Sequence, residues 1–538
     1  MLRLAALLGV VLALAVTPAS RHPLGPGHSA AAGSPLPQGV PLDQALVLAG
    51  GESRNPRTYD PATTHGSGDR MAYSGLVSLD PTLRLVGELA ERWEVDAAGT
   101  TYAFYLRKNA RFHNGRAVTA ADVIYSWERA AMPELASETV LTYLGDILGV
   151  REVADGRADH IRGLAAVDAS TLRVTIDAPK PYFLLKLTYP TAFVLDRENV
   201  ESSPEWYRHP NGTGPFRLIE WRSFEYLIYE RNPDFYLGPP ALPYVIVSLY
   251  AGDSVRLYEA GEIDIAGVSH FDAERFVDPS EPLHRELRSG VSLCTGYVVF
   301  DVTRPPFDDE KVRKAFSMAF DREAYIDVLF SGMALPAVGP YPPGLPGFTY
   351  SLEGLPYDPA EARRMLAESR YGSAGALPPI VYTDSGIGTY ASPSVAGMAE
   401  MWKRNLGVTI TIENIESNFF FDHVFGGDHG QLFEGGWCAD YPDPENFADV
   451  LFHSESQQNL GGFGERELDA MLELARVEPD VMKRLDLYQQ AQKRIVDDAP
   501  VLFTTHPLSF VLVKPYVKGY VPTPIDIPIE RYVWLDGK

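Results

Sequence analysis

Cysteine and basic residues are scarce in this chain, and both shortages narrow the possible functions. Only two of the 538 residues are Cys, and the sequence has neither a CxxC pair nor two His at metal-ligand spacing. We therefore expect no metal centre. Lys and Arg number 47 against 71 Asp and Glu, a formal net charge of −24. A field of this sign repels phosphate backbones, so nucleic acid is not an expected partner. The charge fits either plain solubility or the attraction of a cationic ligand.

Sequence motifs for catalysis are missing as well. The chain has no GxSxG elbow, no GxxxxGK[ST] loop, no HExxH pair and no GxGxxG after a strand. Asp440, Asp443 and Glu445 lie close together in DYPDPEN, and paired carboxylates can perform acid–base chemistry. Because Pro-rich turns commonly contain such residues, we expect no catalytic residue, no cofactor and no enzymatic activity.

The N-terminal segment predicts export from the cytoplasm. In residues 1–20 a single basic residue, Arg3, precedes an apolar run over residues 4–16. That run is short for a membrane span and fits the core of a signal peptide, with an uncleaved anchor as the alternative. Residues 21–40 are rich in Pro, Gly, Ser and Ala, which predicts a flexible linker. We expect an extracytoplasmic protein, periplasmic or at the cell surface.

Strand and helix patterns alternate along the rest of the chain, which predicts an α/β fold. Residues 45–51 are apolar on both faces, as in a buried strand, and residues 102–107 alternate like a half-buried one. Thr119 followed by Asp122 has the form of a helix start. Residues 307–330 are predicted to form one long helix.

Residues 89–130, LAERWEVDAAGTTYAFYLRKNARFHNGRAVTAADVIYSWERA, resemble the signature region of a known family. It comprises the large extracytoplasmic solute-binding proteins of peptide and nickel ABC importers, family 5. The segments GTGPF, RNPDFY, YEAGEIDIA, RPPFDDEKVRKAFSMAFDRE and LVKPYVKGY also resemble family blocks. The resemblance therefore extends over nearly all of the chain beyond the linker.

The resemblance implies a two-lobed periplasmic-binding-protein fold of class II type, with an extra subdomain in lobe I. In that family the chain crosses twice between the lobes. Carried over to this sequence, lobe I contains residues 41–293 and 508–538, and residues 75–205 form its extra subdomain. Lobe II contains residues 294–507.

The two cysteines, Cys294 and Cys438, are expected to form a disulfide. In an exported protein an even number of cysteines implies a disulfide, since the compartment is oxidising. Their contexts, SLCTGYVVFDV and GGWCADYPDP, also resemble the cysteine sites of the oligopeptide-binding branch, where the pair is bridged. The alternative is two buried free thiols.

The segment EGGWCADYPDPENF, residues 434–447, is the main candidate for the ligand site. Gly436, Trp437, Cys438 and Asp440 form its centre, and the glycine lets the backbone approach a ligand closely. In the peptide-binding members that this segment resembles, the matching Asp pairs with the α-ammonium of the peptide. In a dry cleft a carboxylate is the natural partner of that cation. The alternative is that Asp440 caps a turn and contacts no ligand.

Other candidate positions depend on weaker patterns. Gly51, Glu52 and Ser53 follow the first strand, where such proteins offer main-chain hydrogen bonds to an extended peptide. Tyr125 lies on a helix whose aromatic residues also fit a core role. Phe419 belongs to a Phe cluster near a position where the family has an aromatic residue.

The sequence departs from the oligopeptide-binding pattern at several positions. Glu434 stands where that branch can have an Arg for the carboxylate of the peptide, and Ser417 stands where an aromatic residue is expected. A His of that branch has no counterpart near YTDSGIGTY. The amino end of a peptide ligand is therefore supported by the resemblance, and the carboxylate end is not.

The resulting hypothesis is the binding subunit of an ABC importer for di- or oligopeptides. It would act as a monomer that closes on its ligand and docks on the transmembrane permease subunits. Two alternatives stay open. The same fold could bind an oligosaccharide, a nickel chelate or another small solute, or the chain could be a sensor or chaperone-type receptor module.

Overall fold

A computed structural model describes residues 39–538, apart from residues 51–55, 57, 64–69, 250–251, 270–271 and 387–389. The expected signal peptide, and the expected linker up to residue 38, lie outside the described residues. Within the described part, no helix has both the length and the apolar character needed to cross a membrane.

Twenty strands are present in the described part of the chain. In chain order they are β1 Ala45–Ala49, β2 Val77–Leu79, β3 Leu85–Gly87, β4 Ala90–Val95, β5 Thr101–Leu106, β6 Leu164–Asp168, β7 Thr171–Thr175, β8 Phe216–Arg222, β9 Tyr226–Arg231, β10 Tyr244–Ser248, β11 Ile265–Gly267, β12 Leu287–Val291, β13 Cys294–Phe300, β14 Ala334–Pro336, β15 Ile380–Asp384, β16 Ile410–Asn414, β17 Leu432–Cys438, β18 Val501–Val513, β19 Val517–Lys518 and β20 Trp534–Leu535.

Fifteen α-helices are present in the same residues. They are α1 Ala120–Ala131, α2 Val140–Tyr143, α3 Val150–Ala154, α4 Phe183–Lys186, α5 Arg197–Val200, α6 Ser254–Glu259, α7 Ala273–Val277, α8 Glu310–Met318, α9 Arg322–Leu329, α10 Pro359–Glu368, α11 Pro393–Leu406, α12 Ser417–Phe425, α13 Glu445–Phe452, α14 Arg466–Val477 and α15 Val481–Asp498.

The largest sheet has twelve strands, which the long strand β18 connects. Ten strands follow the order β16-β15-β17-β13-β18-β11-β1-β10-β9-β8, and β12 and β14 also pair with β18. From Val501 to Thr505, β18 pairs with β13; from Leu508 to Val513 it pairs with β12 or β11. Pro507, which has no N–H to donate, lies where the partners change. The C-terminal half of β18 therefore pairs with strands that lie before Ser292 in the chain. Its N-terminal half pairs with strands that lie between Ser292 and Pro507.

A smaller antiparallel sheet, β4-β5-β7-β6, lies within the region expected to be the extra subdomain. Helix α1 follows β5 in the chain and buries Trp127 completely. The indole N–H of Trp127 donates a hydrogen bond to the main-chain oxygen of Ala192 at 3.0 Å. This bond satisfies the polar atom of a large core side chain.

Several local expectations agree with the structure. β1 is buried and pairs in parallel with β10 on one side and β11 on the other. β5 alternates between buried and half-buried side chains, as its pattern predicts. Before α1, the Thr119 main-chain N–H donates to Asp122 at 2.8 Å, within a capping box that satisfies two free donors of the helix end.

The expected single helix over residues 307–330 is wrong, because the structure contains two helices there, α8 and α9. Asp321 lies between them in an extended conformation, and its carboxylate accepts the Ala324 main-chain N–H at 3.0 Å. A side chain that caps the start of a new helix competes with continuation of the preceding one. The apolar periodicity of the segment did not reveal this break.

Candidate ligand-binding site

Strands β13 and β17 position the segment that was expected to bind the ligand. They run antiparallel over seven residue pairs, from Cys294 opposite Cys438 to Phe300 opposite Leu432. Cys294 and Cys438 are joined by a disulfide, so the predicted pairing is confirmed. Gly435 lies opposite Tyr297, and a Cβ there would lie 2.4 Å from a ring carbon of Tyr297. Only glycine fits at this position without displacing the ring.

Asp440 lies two residues beyond β17 and is held by side chains from two parts of the chain. Its Oδ2 accepts a hydrogen bond from the Tyr143 hydroxyl at 2.5 Å and one from the Asn446 amide at 3.3 Å. Asn446 is fully buried on the first turn of α13, and its Oδ1 accepts the Asp440 main-chain N–H at 2.9 Å and the Trp437 indole N–H at 3.2 Å. One amide therefore fixes both Asp440 and Trp437.

An aromatic cluster holds the hydroxyl that contacts Asp440. The rings of Tyr143 and Tyr189 stack with centroids 3.7 Å apart and planes 4° from parallel. Tyr441 meets Tyr143 edge-on at 6.5 Å, and all three side chains are buried. Since packing restricts the Tyr143 ring, its hydroxyl is preorganised to donate to Asp440.

The surroundings of Asp440 make its ionised form costly in the absence of a cation. Burial raises the pKa of Asp440 to about 6, and the nearby Asp526 raises it further. The hydrogen bonds from Tyr143 and Asn446 lower it, as does the charge of Arg70. Near neutral pH this carboxylate is ionised but poorly solvated, and a bound cation would stabilise it.

Asp440 faces a cavity of about 460 Å³, its open side included. Five charged side chains line it: Arg70, Glu88, Asp440, Asp526 and Arg531. Arg531 Nη1 lies 2.9 and 3.0 Å from the two oxygens of Glu88, which also accepts hydrogen bonds from the hydroxyls of a serine and a tyrosine. That pair is satisfied within the protein, so Asp440 and Arg70 are the charges better placed for a ligand.

Behind Asp440 lies a buried cluster of charges. Lys186 on α4 contacts Asp146 Oδ2 at 3.1 Å and Glu445 Oε1 at 3.0 Å. Burial alone would lower the pKa of Lys186, but the two carboxylates raise it above its usual value. Burial raises the pKa of Glu445. Lys180 lies 2.6 Å from the other oxygen of Asp146. These charges compensate one another where water has little access.

The other expected site residues are dispersed. Gly436 is exposed on β17, Trp437 is half-buried, and Cys438 is engaged in the disulfide. Phe419 on α12 is about half exposed. Tyr125 on α1 lies 5.4 Å below the guanidinium of Arg197 and is not among the residues that line the cavity.

The remaining expectations concern residues 51–53, Glu434 and the absence of a metal site. Gly51, Glu52 and Ser53 lie outside the described residues. Glu434 is exposed on β17, opposite Val298. Among the described residues, no group of three or more His, Cys, Asp or Glu side chains is arranged to hold a metal ion.

Sequence reasoning missed Tyr143, Asn446 and Arg70. Asn446 is six residues from Asp440 on the start of a helix, a spacing that could have suggested contact. Tyr143 is 297 residues away and Arg70 farther still. No local pattern marks either residue, so only the tertiary structure could find them.

A carboxylate held by a hydroxyl and an amide faces a cavity on this mixed α/β fold, an arrangement suited to binding a polar solute. The family model described as "Bacterial extracellular solute-binding proteins, family 5 Middle" matches residues 84–459. The chain belongs to this family.

Individual relatives match along almost their whole length. The chain is 28% identical over 512 residues to di/tripeptide-binding protein 2 of Pseudomonas aeruginosa, covering 90% of this chain and 93% of that protein. It is 28% identical over 522 residues to the periplasmic oligopeptide-binding protein OppA of Salmonella typhimurium, covering 93% and 94%. The solved structure of the Escherichia coli murein tripeptide-binding protein MppA matches with a TM-score of 0.78 and 27% identity, covering 91% of this chain and 98% of that one. The fold is therefore that of the periplasmic binding proteins.

Proposed function

We propose that this chain is the substrate-binding subunit of an ABC importer, and that it captures peptides by their free amino end at Asp440. The observation that carries the proposal is the geometry of this carboxylate, which is oriented by Tyr143 and Asn446 and faces the cavity. The relatives named above are di/tripeptide-, oligopeptide- and murein tripeptide-binding proteins. Their names support a peptide ligand rather than a sugar or a chelate.

The α-ammonium of a peptide fits Asp440 on electrostatic grounds. It is a compact cation below about pH 8. Removing one partner of a buried charge pair costs roughly 2–5 kcal/mol, or about 30-fold to several thousandfold in affinity. Trp437 is fixed by the same Asn446, to which its indole N–H donates at 3.2 Å.

The capture mechanism that we propose is closure of two lobes. Lobe I comprises residues 41–293 and 508–538, with residues 75–205 as an extra subdomain, and lobe II comprises residues 294–507. The change of partners along β18 at Pro507 supports the second boundary, and the start of β13 at Cys294 supports the first. Tyr143 and Asp440 then lie on opposite lobes, so their hydrogen bond forms on closure. A ligand that binds both sides would shift the equilibrium towards the closed form.

Further parts of the proposal concern the cellular setting. We propose that residues 1–20 direct export, and that the closed, liganded monomer docks on the transmembrane subunits of a permease. The periplasmic location of the named OppA relative supports this setting.

Native mass spectrometry of protein purified from an oxidising compartment tests the proposal. A set of co-purifying peptides of mixed sequence and narrow length is expected, and the Asp440→Asn variant should lose them. Asp428→Asn, at an exposed position, is the matched control and should retain them. A single sugar or metal-chelate mass in the wild-type protein would refute the peptide assignment.

A further inference from the structure

The cavity beside Asp440 contains a second charge that is suited to a ligand, the guanidinium of Arg70. The side chain of Arg70 is 18% exposed and lines the same cavity as Asp440. Its charge acts on Asp440, since it lowers the pKa of that carboxyl. A cation and an anion thus face the same space without forming the close pair that Arg531 makes with Glu88.

The contacts of Arg70 with described residues are long. Its Nη1 donates to the main-chain oxygen of Thr188 at 3.3 Å, and its Nε lies 3.3 Å from Asp526 Oδ2. Both distances exceed the usual range of about 2.7–2.9 Å for charge-assisted hydrogen bonds. The side chain of Asp526 is 90% exposed, and such surface pairs contribute little to stability. A guanidinium has five N–H donors in a planar fork, so Arg70 can donate to a ligand carboxylate in place of Asp526.

Arg70 is held in a defined position relative to Asp440. The guanidinium lies 6.0 Å from the ring centroid of Tyr189, which stacks on Tyr143, and Tyr143 donates to Asp440. One ring of the stacked pair therefore lies near Arg70, and the hydroxyl of the other binds Asp440. In the closed form this arrangement places a site for a cation and a site for an anion on the same cavity.

The main chain next to Arg70 is also anchored. Gly214 N–H donates to the Ala72 oxygen at 2.8 Å, and Phe216 N–H donates to the Met71 oxygen at 3.0 Å. A Cβ at Gly214 would lie 2.2 Å from the Met71 oxygen, so the two segments can approach this closely only with glycine. The GTGPF block thus supports the segment that presents Arg70.

We infer that Arg70 is a specificity-determining residue, which binds a carboxylate of the same ligand whose amine pairs with Asp440. The ligand class is then a zwitterion with its acidic group close to its free amine. Either the α-carboxylate of a dipeptide or the acidic side chain of a first residue meets this requirement. This inference rests on the proposed function and names its substrate class.

Arg70 would provide the contact to a ligand carboxylate for which the sequence pattern offers no residue. Glu434 replaces the Arg that the oligopeptide-binding branch can use, and it is exposed on β17. Arg70 is contributed by a different part of the chain and lines the same cavity as Asp440. A short or acidic ligand follows from that proximity.

Isothermal titration calorimetry with four peptides tests the inference. The dipeptide Ala-Ala is compared with its C-terminal amide, and Glu-Ala-Ala-amide is compared with Gln-Ala-Ala-amide. Loss of the carboxylate within either pair should weaken binding by about 10- to 100-fold, as for a hydrogen bond to a charged group. A preference in the first pair identifies the α-carboxylate as the group bound, and a preference in the second identifies the side chain.

Variants of Arg70 and Asp526 test whether the preference for a carboxylate depends on Arg70. In Arg70→Gln the preference for the peptide with the carboxylate should fall to less than about threefold. Arg70→Lys should retain part of this preference, because lysine keeps the positive charge but lacks the planar set of N–H donors. Asp526→Asn is the control that removes the competing carboxylate, and it should bind equally well or better. Unchanged melting of each ligand-free variant confirms that the fold is intact.

The outcomes separate this inference from the proposed function. If peptides bind but neither pair shows a preference, or if the preference persists in Arg70→Gln, the role of Arg70 is refuted and the peptide function stands. If no peptide binds to the folded wild-type protein, the proposed function itself fails.

Discussion

The hydroxyl of Tyr143 donates a hydrogen bond of 2.5 Å to Asp440, although 297 residues separate the two in sequence. Tyr143 ends helix α2, and Asp440 follows strand β17. With the proposed lobe boundaries, this bond connects the lobes at the point where the ligand amine is expected. Under the proposed function, the carboxylate serves both closure and recognition, so variants at either residue should affect both.

Replacing Tyr143 with Phe removes the hydroxyl and keeps the stacked ring. We expect affinity for Ala-Ala to fall by about 5- to 100-fold, because a partly buried carboxylate loses one of its donors. Calorimetry of Tyr143→Phe measures the change. Tyr371→Phe is a matched control, since the Tyr371 hydroxyl contacts an exposed Arg370, and it should bind normally. Equal affinity in wild type and Tyr143→Phe would show that this hydroxyl does not support binding.

Asp440→Asn should separate stability from function. A carboxyl whose pKa is raised from 3.8 to about 6 destabilises the folded protein at pH above 6, since its ionised form is poorly solvated. The neutral amide removes that cost, with an upper value of about 3 kcal/mol. The ligand-free variant, to the extent that its lobes close, is therefore expected to melt at an equal or higher temperature at pH 7.5, while peptide no longer raises the melting point. A lower melting temperature would contradict the assigned cost of ionised Asp440.

Peptide affinity should depend on pH. The ligand amine binds the ionised form of Asp440, so affinity falls by up to about tenfold per unit as pH drops below the pKa of about 6. Above about pH 8 the amine loses its proton and affinity falls again. Titrations from pH 4.5 to 9 should therefore give a maximum between about 6 and 8.

Glu445 also has a raised pKa and lies near the site, so it needs a control. Glu445→Gln removes its titration and should leave the decline below pH 6 in place. An affinity that is constant from pH 4.5 to 7 would contradict the pairing of amine and Asp440.

The disulfide should contribute mainly to stability. Cys294 and Cys438 enclose a long loop, with a sequence separation of 144. The chain-entropy model gives such a cross-link an upper value of about 5 kcal/mol. The double variant Cys294→Ser/Cys438→Ser is expected to unfold at clearly lower temperature. Seven residue pairs between β13 and β17 still position Asp440, so affinity should change by less than about tenfold. Reduction of the wild-type protein should reproduce the loss, and an unchanged melting point after complete reduction would refute it.

Substitution of Lys186 should lower the free energy of unfolding far more than substitution of an exposed lysine. Lys186→Met leaves Glu445 buried without its cation, which costs about 3–5 kcal/mol. The double variant Lys186→Met/Glu445→Gln should recover part of this loss, since no unpaired charge then remains at position 445. Lys493→Met breaks an exposed pair with Asp497 and should cost less than about 1 kcal/mol. Unfolding free energies from urea titration test the order, and equal losses in the two single variants would contradict it.

Local features of the fold could be predicted because they depend on neighbouring residues. The burial of β1, the alternation in β5 and the cap at Thr119 follow from side chains within a few positions. The failure over residues 307–330 has the same origin. The apolar periodicity continues through the segment, whereas the helix break depends on the capping contact of the Asp321 side chain.

For the site, the sequence by itself determined the family, the disulfide and Asp440 as the candidate anchor. These depend on residue types at recognisable spacings, which the chain displays without being folded. The tertiary structure alone decided which groups surround Asp440. Tyr143 and Arg70 lie near it because packing of α2, β17 and the GTGPF segment brings distant main chain together. Contacts at such separations depend on the whole packed core, and no short segment encodes them.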